Sequence, residues 1–562
     1  MSFISPLDYF TSSQIGEKGT FEYTWSNNIQ EQILQLTFQL TRTYDTNTIK
    51  NLSLKTDKIL TEIISSYKTN IISRDDYLDY MSIMYRIIAY TRDIIYGKGE
   101  YKLAFMLLEV WHNHFPQLAQ FALRHFVLPP EGYSQFHPYG SWKDIKYLFL
   151  YFNKSSPLID YSIQLVLEQL NNDLNSSQPS LLSKWIPREK TKFGQLFSLI
   201  ATNYFNEYIN TSNDCLSKQR AISKSKMEFR KIISHLNKKL DTVQIKQCSA
   251  KWNEIEPHKL TSITMNKQKK ALLNIDNKGQ IRSFNKDRIY CADNFKEFCT
   301  KASNGELNIN GKLVSLNHFT SQAIKLINNK KSNSYEADIL NAQWLDNSQQ
   351  NKPLGNFIPI LDLSLEQDSF NAAIAIAIRI AEKSAKRILT FSSNPSWINL
   401  EQSNNFVDMV EKIITSSDYG LNANFSAALK LLIDAIIIQK LRHEDVENMV
   451  LAIISDMQVD EMREHLIEYI EKQYAEAGQK LWSKPFKLPH ILFWNIRSTN
   501  GFPSLSTQPN CSMISGYNTA ILNNFFQKPT NEFHNLTPWT IFLKNLNNDR
   551  YKFLDQYIRN NL

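Results

Sequence analysis

The sequence predicts an α plus α/β protein, with an amino-terminal helical-repeat array followed by a doubly wound α/β domain. Three observations carry this. Up to about residue 345 the apolar residues recur at helical spacing. From Gly355 they gather instead into short, nearly continuous runs of strand length, with helical patterns between them. A polar, turn-prone stretch, Asn347-Ser348-Gln349-Gln350-Asn351-Lys352-Pro353, lies where the pattern changes. The expected division is therefore 1–345 and 355–562, with a linker around Ala342 to Gly355.

In the first region the helical spacing runs through Ile29 to Leu40, Leu52 to Tyr67, Tyr77 to Thr91, Tyr101 to His114, Trp142 to Phe152, Leu158 to Leu174, Gly194 to Tyr208 and Met227 to Leu240. No fixed-period repeat is present. Paired helices without a strand signal suggest an irregular solenoid.

In the second region Phe357 to Leu361, Met449 to Ile454 and His490 to Ile496 read as strands covered on both faces, with a further strand at Arg387 to Ser393. Helical patterns at Phe370 to Lys386, Phe406 to Thr415, Phe425 to Leu441 and Asp460 to Gly478 alternate with them. Such alternation winds helices over both faces of a parallel sheet, and ligands then meet the carboxyl ends of its strands. Asp362, Ser364 and Asp456 fall at those ends.

The chain has 562 residues, more than one ordinary core, and its 42% hydrophobic and 21% charged residues are those of a globular protein. No apolar stretch approaches a bilayer span, so no membrane is expected as partner. Met1 to Pro6 lacks a secretory pattern, which places the chain in the cytoplasm, or in a virion if its source is viral. Abundant Asn, Ile and Lys point to an AT-rich genome. Five scattered cysteines contain no Cys-x-x-Cys pair and indicate neither a disulfide framework nor a zinc finger.

Charge is uneven. Between Leu181 and Tyr290 there are 22 Lys and Arg against 9 Asp and Glu, whereas the whole chain carries a net charge of only +8. Concentrated positive charge is the footprint of a polyanion partner. Its densest part, Lys218 to Lys231 with Lys238 and Lys239, would set Lys224, Lys231, Lys238 and Lys239 beside the apolar face of a helix, with Arg230 in the same run. A solvated helix has the same pattern, so both readings stand. Upstream, Lys184 to Gly194 interleaves Trp185 and Phe193 with Arg188, Lys190 and Lys192, the mixture by which single-stranded RNA is held. Burial of Trp185 and Phe193 in a core is the competing reading.

Arg92 to Glu100 contains Gly97-Lys98-Gly99 without the spacing of a phosphate-binding loop, and reads as a turn between helices with Glu100 opening the second. In Gly140 to Asp144, Ser141 is expected to cap a helix and Trp142 to be buried. There is no Gly-x-Ser-x-Gly, Gly-x-Gly-x-x-Gly or His-Glu-x-x-His pattern, so a non-enzymatic protein is expected.

Several of these segments together resemble a known family. They are Thr91-Arg92-Asp93 with Gly97 to Glu100, Gly140 to Asp144, Lys184 to Lys190, Asp362-Leu363-Ser364, Thr390-Phe391-Ser392, Asn422 to Phe425, Ser455 to Gln458 and Phe493 to Arg497. The chain from about Tyr77 to Tyr557 is similar in them to the domain-of-unknown-function family numbered 2828, whose architecture is related to the Ro autoantigen (TROVE) proteins. The resemblance implies a helical ring completed by a von Willebrand factor A-type domain, and binding of small or structured RNA. The A-type adhesion site takes Asp-x-Ser-x-Ser and a later Asp, here Asp362, Ser364 and Asp456, but Glu366 stands where the second serine should be and Ala423 where a threonine is usual. Either Glu366 joins a magnesium or calcium site as a ligand, or the loop is structural and no cofactor is bound. A protein partner acting through the A-type domain is the rival to RNA.

Overall fold

The computed structural model describes residues 12–130, 136–212, 214–303, 305–331, 334–416, 423–459, 464–525 and 536–562. They form two compact units, one of residues 12–103, 261–263 and 298–562, the other of 104–260 and 264–297. The protein is an α plus α/β molecule, mostly helical, with a mixed sheet in its carboxyl-terminal part.

The first unit is built on six strands, β3 (Phe357–Asp362), β4 (Arg387–Phe391), β5 (Ser396–Asn399), β6 (Val450–Ser455), β7 (His490–Asn495) and β8 (Cys511–Ser515). Their order is β5-β4-β3-β6-β7-β8, parallel except for the edge strand β5. Every residue of β6 and β7 is buried, which explains their continuous apolar sequences. β5 and β8 escape that criterion, because Ser-Trp-Ile-Asn and Cys-Ser-Met-Ile-Ser mix polar with apolar residues. The register pairs Asp362 with Phe391, Ser455 with Asn495 and Asn495 with Ser515. A row of polar residues thus ends the strands along one edge, and the strand order reverses between β3 and β6.

The amino-terminal region departs from the expectation of an all-helical array. Ser13–Ile15 (β1) and Phe21–Tyr23 (β2) form an antiparallel hairpin, too short to show a sequence period. Helices Ile29–Gln39, Thr46–Lys68 and Arg74–Arg92 follow, all in the same compact unit as the sheet.

The expected linker is also structural. Helix Tyr335–Ser348 runs through its first half, and Asn347, Ser348 and Asn351 are buried. Their polarity serves Arg379, which is fully buried in helix Gln367–Glu382. Its guanidinium donates to the Asn347 carbonyl at 3.1 Å, to Asn347 Oδ1 at 2.9 Å and to Asn351 Oδ1 at 2.9 Å, while Trp344 lies under it at 4.3 Å. A buried charge needs such partners.

A second buried cation ties the carboxyl terminus to the same unit. Arg550 donates to both oxygens of Asp93, at 2.9 and 3.0 Å, and the Tyr551 hydroxyl donates to the same carboxylate at 2.9 Å.

The second unit is helical, with Pro116–Val127, Asp144–Tyr151, Pro157–Asn175, Gly194–Tyr204 and Cys215–Leu240 among its helices. Phe126, Phe149, Phe197 and Phe229 lie in its core, and Trp142 is buried as expected. Ser141 does not cap. Its backbone N–H donates to the buried Asp144 carboxylate, and Lys143 takes the N-cap position. No helix among the described residues is long and apolar enough to cross a membrane.

Asp93→Ala should lower unfolding stability by about 3–5 kcal/mol, because it strands the Arg550 guanidinium in the core. Denaturant titration checks this, and a loss below about 1 kcal/mol would show that Arg550 finds water.

Candidate functional site

Two places bear on function, one in each unit. The first is the carboxyl edge of the sheet. Asp362 is fully buried at the end of β3, where its Oδ1 accepts from the Ser364 N–H at 2.8 Å and hydroxyl at 2.7 Å. Its Oδ2 accepts from the Ser455 hydroxyl at 2.6 Å. Burial, then the charge of Asp456, raises its pKa to about 6 despite these bonds. The structure therefore brings Asp362, Ser364 and Asp456 together.

Cations from the chain itself meet this cluster. Lys18, in the turn of the β1–β2 hairpin, donates its ammonium to Ser364 Oγ at 2.7 Å. Arg497, just beyond β7, donates Nε to Asp456 Oδ2 at 2.8 Å and a terminal nitrogen to Glu17 at 2.7 Å. The Glu17 N–H donates to the Gln458 side chain at 2.7 Å, the Thr20 hydroxyl to the Val459 carbonyl at 2.7 Å, and the Gln458 amide to Glu22. Glu22 is buried, and that burial raises its pKa to about 7. Glu366 takes no part in these bonds. It is the exposed N-cap of helix Gln367–Glu382, without a capping hydrogen bond from its side chain. Asn422 lies outside the described residues, and the Ala423 beside it has no hydroxyl.

This donor set does not fit a divalent cation. Hard cations require several free oxygens at once. Here Asp456 is engaged by a guanidinium, Ser364 by an ammonium, and Asp362 by three donors. Among the described residues no group of three or more His, Cys, Asp or Glu side chains is placed to hold a metal.

Further along the same edge the chain is equally closed. Asn495 donates to the Phe38 carbonyl at 3.0 Å and Ser515 to the Thr37 carbonyl at 3.0 Å, both near the end of helix Ile29–Gln39. Lys98 is buried against the same place, donating to the Leu40 carbonyl at 2.9 Å, to Ser515 Oγ at 2.6 Å and to the Thr37 carbonyl. Burial pushes its pKa down to about 7, while three acceptors and the negative end of a helix favour the ammonium. The turn holding it needs glycine, since a Cβ at Gly97 would sit 2.0 Å from the Tyr90 carbonyl oxygen. The sequence identified this segment as a turn but not its lysine as a buried anchor.

The second place is in the helical unit. Trp185 ends the short helix Leu182–Trp185 and is only half buried. Lys146 lies 5.0 Å from its ring centre, with Lys143 and Lys184 each at 6.0 Å. Lys146 is also 5.8 Å from the Phe193 ring, and Lys192 is 5.0 Å from it. Burial lowers the pKa of Lys146, as do the neighbouring charges of Lys143 and Lys267. Lys143 and Lys146 were outside the expected basic segments, since only folding brings the 140s beside Trp185. The loop from Arg188 to Gly194 is fixed, because the Thr191 hydroxyl bonds the Arg188 carbonyl at 2.8 Å and a Cβ at Gly194 would meet the Glu189 carbonyl oxygen at 1.9 Å.

Of the cations expected from sequence, Arg188, Lys190, Lys192, Lys224, Arg230, Lys231, Lys238 and Lys239 are all exposed. Helix Cys215–Leu240 buries Ala221, Ser225, Phe229 and Leu236, the apolar face that the pattern required. The stripe is partly neutralised: Glu189 pairs with Arg230 and, at 3.4 Å, with Lys226, and Glu228 pairs with Lys231 at 2.9 Å. Lys224 lies 4.6 Å from the centre of the Tyr208 ring.

The family model for a domain of unknown function (DUF7788) matches residues 360–547, the segment from β3 into the helix at Pro538–Leu546. This is a different family from the one numbered 2828. Uncharacterized protein L728 of Acanthamoeba polyphaga mimivirus is 24% identical over 479 residues, covering 79% of this chain and 75% of that protein.

Two outcomes follow from the sheet edge. Because the folded Asp362 keeps its proton to about pH 6 and the unfolded carboxyl only to about 4, the wild type should gain stability relative to Asp362→Asn as pH falls from 7 to 5. Parallel urea midpoints for the two proteins across that range would show that Asp362 titrates normally. Excess magnesium or calcium should leave the melting temperature unchanged, since a bound ligand raises it by mass action.

Proposed function

We propose that this protein is a non-enzymatic RNA-binding scaffold of the Ro-like kind, working through its helical unit. The observation that carries the reading is the cluster in which Lys143, Lys146 and Lys184 surround the half-buried Trp185 while Lys192 lies on Phe193. An aromatic face at the surface stacks an unpaired base, and cations around it meet the flanking phosphates. Lys and Arg that already have carboxylate partners, such as Arg230 and Lys231, contribute less.

For the sheet we infer a doubly wound, von Willebrand factor A-like domain. The order β5-β4-β3-β6-β7-β8, a single antiparallel edge strand, and acidic residues beside the reversal between β3 and β6 support this. Its adhesion site is degenerate, and Lys18 and Arg497 stand where a cation would be needed. No cofactor enters this reading.

A second reading, a protein-interaction or structural module acting through the sheet-bearing unit, is favoured by apolar side chains left at its surface. Trp397 on the edge strand β5 and Ile438 at the end of helix Phe425–Ile438 are 51% and 74% exposed. Virion association belongs to this second reading if the source is viral, as that of the similar protein is.

Replacing Lys184, Arg188 and Lys192 with Gln should weaken binding of generic single-stranded RNA whatever its sequence, and should reduce the slope of log affinity against log salt by about 0.7 per lost phosphate contact. Folding should survive, since Arg188 and Lys192 are exposed, where a substitution changes stability by about 0.5 kcal/mol or less, and Lys184 is only half-buried. An unchanged slope in the folded triple variant would favour the protein partner.

A further inference from the structure

The helical unit carries a second aromatic and cationic projection, distinct from Trp185. Residues 274–283 form a small, firmly held loop. Ile275 and Ile281 pair across it, the Asp276 carboxylate accepts from the N–H groups of Lys278 and Gln280 at 2.8 and 2.9 Å, and the Asn274 side chain donates to the Ser283 carbonyl at 2.7 Å. Phe284 follows and is 82% exposed, and Tyr290 is 62% exposed. Lys278, Arg282 and Lys286 are near them in sequence, all exposed. The nearest acid in sequence, Asp287, is already used, accepting from the backbone N–H groups of Trp252 and Asn253 at 2.6 and 2.8 Å.

A path joins this loop to the Trp185 cluster. Lys267 is close enough to Lys146 to depress its pKa. Three residues on, and so on the same face of helix Ser262–Leu272, Lys270 reaches the loop by donating to Asn277 Oδ1 at 3.4 Å. From Lys267 to the helix end is only five residues, a rise of roughly 8 Å. Like charges in succession, bounded by an aromatic ring at each end, are what an extended polyanion with stackable bases requires.

We propose that these residues form one track for a single-stranded nucleic acid, running from Trp185 past Lys267 and Lys270 to Arg282 and Phe284, where Phe284 stacks a second base. The proposal rests on the RNA reading above and adds to it a second, distal contact. Short strands then fill the Trp185 end alone, and longer strands engage both ends.

Fluorescein-labelled oligouridines of about 6 and about 20 nucleotides, within and beyond a single site size, provide the test with the full-length protein. In Arg282→Gln/Phe284→Ala, anisotropy should show about tenfold weaker binding of the long strand, a salt slope lower by about 0.7, and unchanged binding of the short one. Trp185→Ala should weaken both. If the double variant binds the long strand as the wild type does, or loses affinity equally for both lengths, there is no distal contact and the track is overturned while the RNA reading stands. If the wild type binds neither strand at low salt, the RNA reading itself fails and the track goes with it.

Discussion

A parallel sheet leaves polar groups at the carboxyl ends of its strands, and here the chain satisfies them from within. Lys98 is the centre of that arrangement. Its ammonium, buried among the carbonyls of Thr37 and Leu40 and the hydroxyl of Ser515, joins the end of one helix to the end of β8. Asn495 and Ser515 reach the same helix, and Lys18 and Arg497 complete the closure over β3 and β6. Lys98, Asn495 and Ser515 are buried, which is tolerable only because their partners are present, while Lys18 and Arg497 are part-exposed.

That closure fills the sheet edge with the chain's own groups. In open α/β sheets the reversal of strand order makes a crevice for ligands. In this protein Asp362 and Asp456 border the reversal, but the β1–β2 hairpin is tied across it through Glu17, Lys18, Thr20 and Glu22. Here Asp362 and Asp456 accept from Ser455 and Arg497 and so take part in a structural joint. Half-buried rings lie beside cations in the helical unit, while Trp397 and Ile438 stay exposed in the sheet-bearing unit.

Much of this was legible in the sequence wherever a local pattern had one physical cause. β3, β6 and β7 were visible because burial on both faces demands continuous apolar residues, and Asp362, Ser364 and Asp456 lie at or just beyond the ends of such strands. β5 and β8 were not, since short strands with polar residues carry no distinctive period. Lys18 and Ser364 are 346 residues apart in sequence, so no spacing could join them. Asn347 and Asn351 read as a linker because the buried Arg379 they serve lies in another helix. Lys98 between two glycines read only as part of a helix-to-helix turn, its acceptors being distant in the chain. The basic segment was identified by composition, but its sharpest feature, Lys143 and Lys146 over Trp185, depends on packing.

The central claim is that the amino-terminal hairpin is an integral part of the sheet edge and not an arm resting on it. Hydrogen exchange of the intact protein, resolved at the amides of Glu17 and Tyr23, tests this most directly, because those groups donate to the Gln458 side chain and the Phe502 carbonyl. The account predicts protection approaching that of β3 and β6. Rapid exchange at Glu17 and Tyr23 while β3 and β6 stay protected would contradict it.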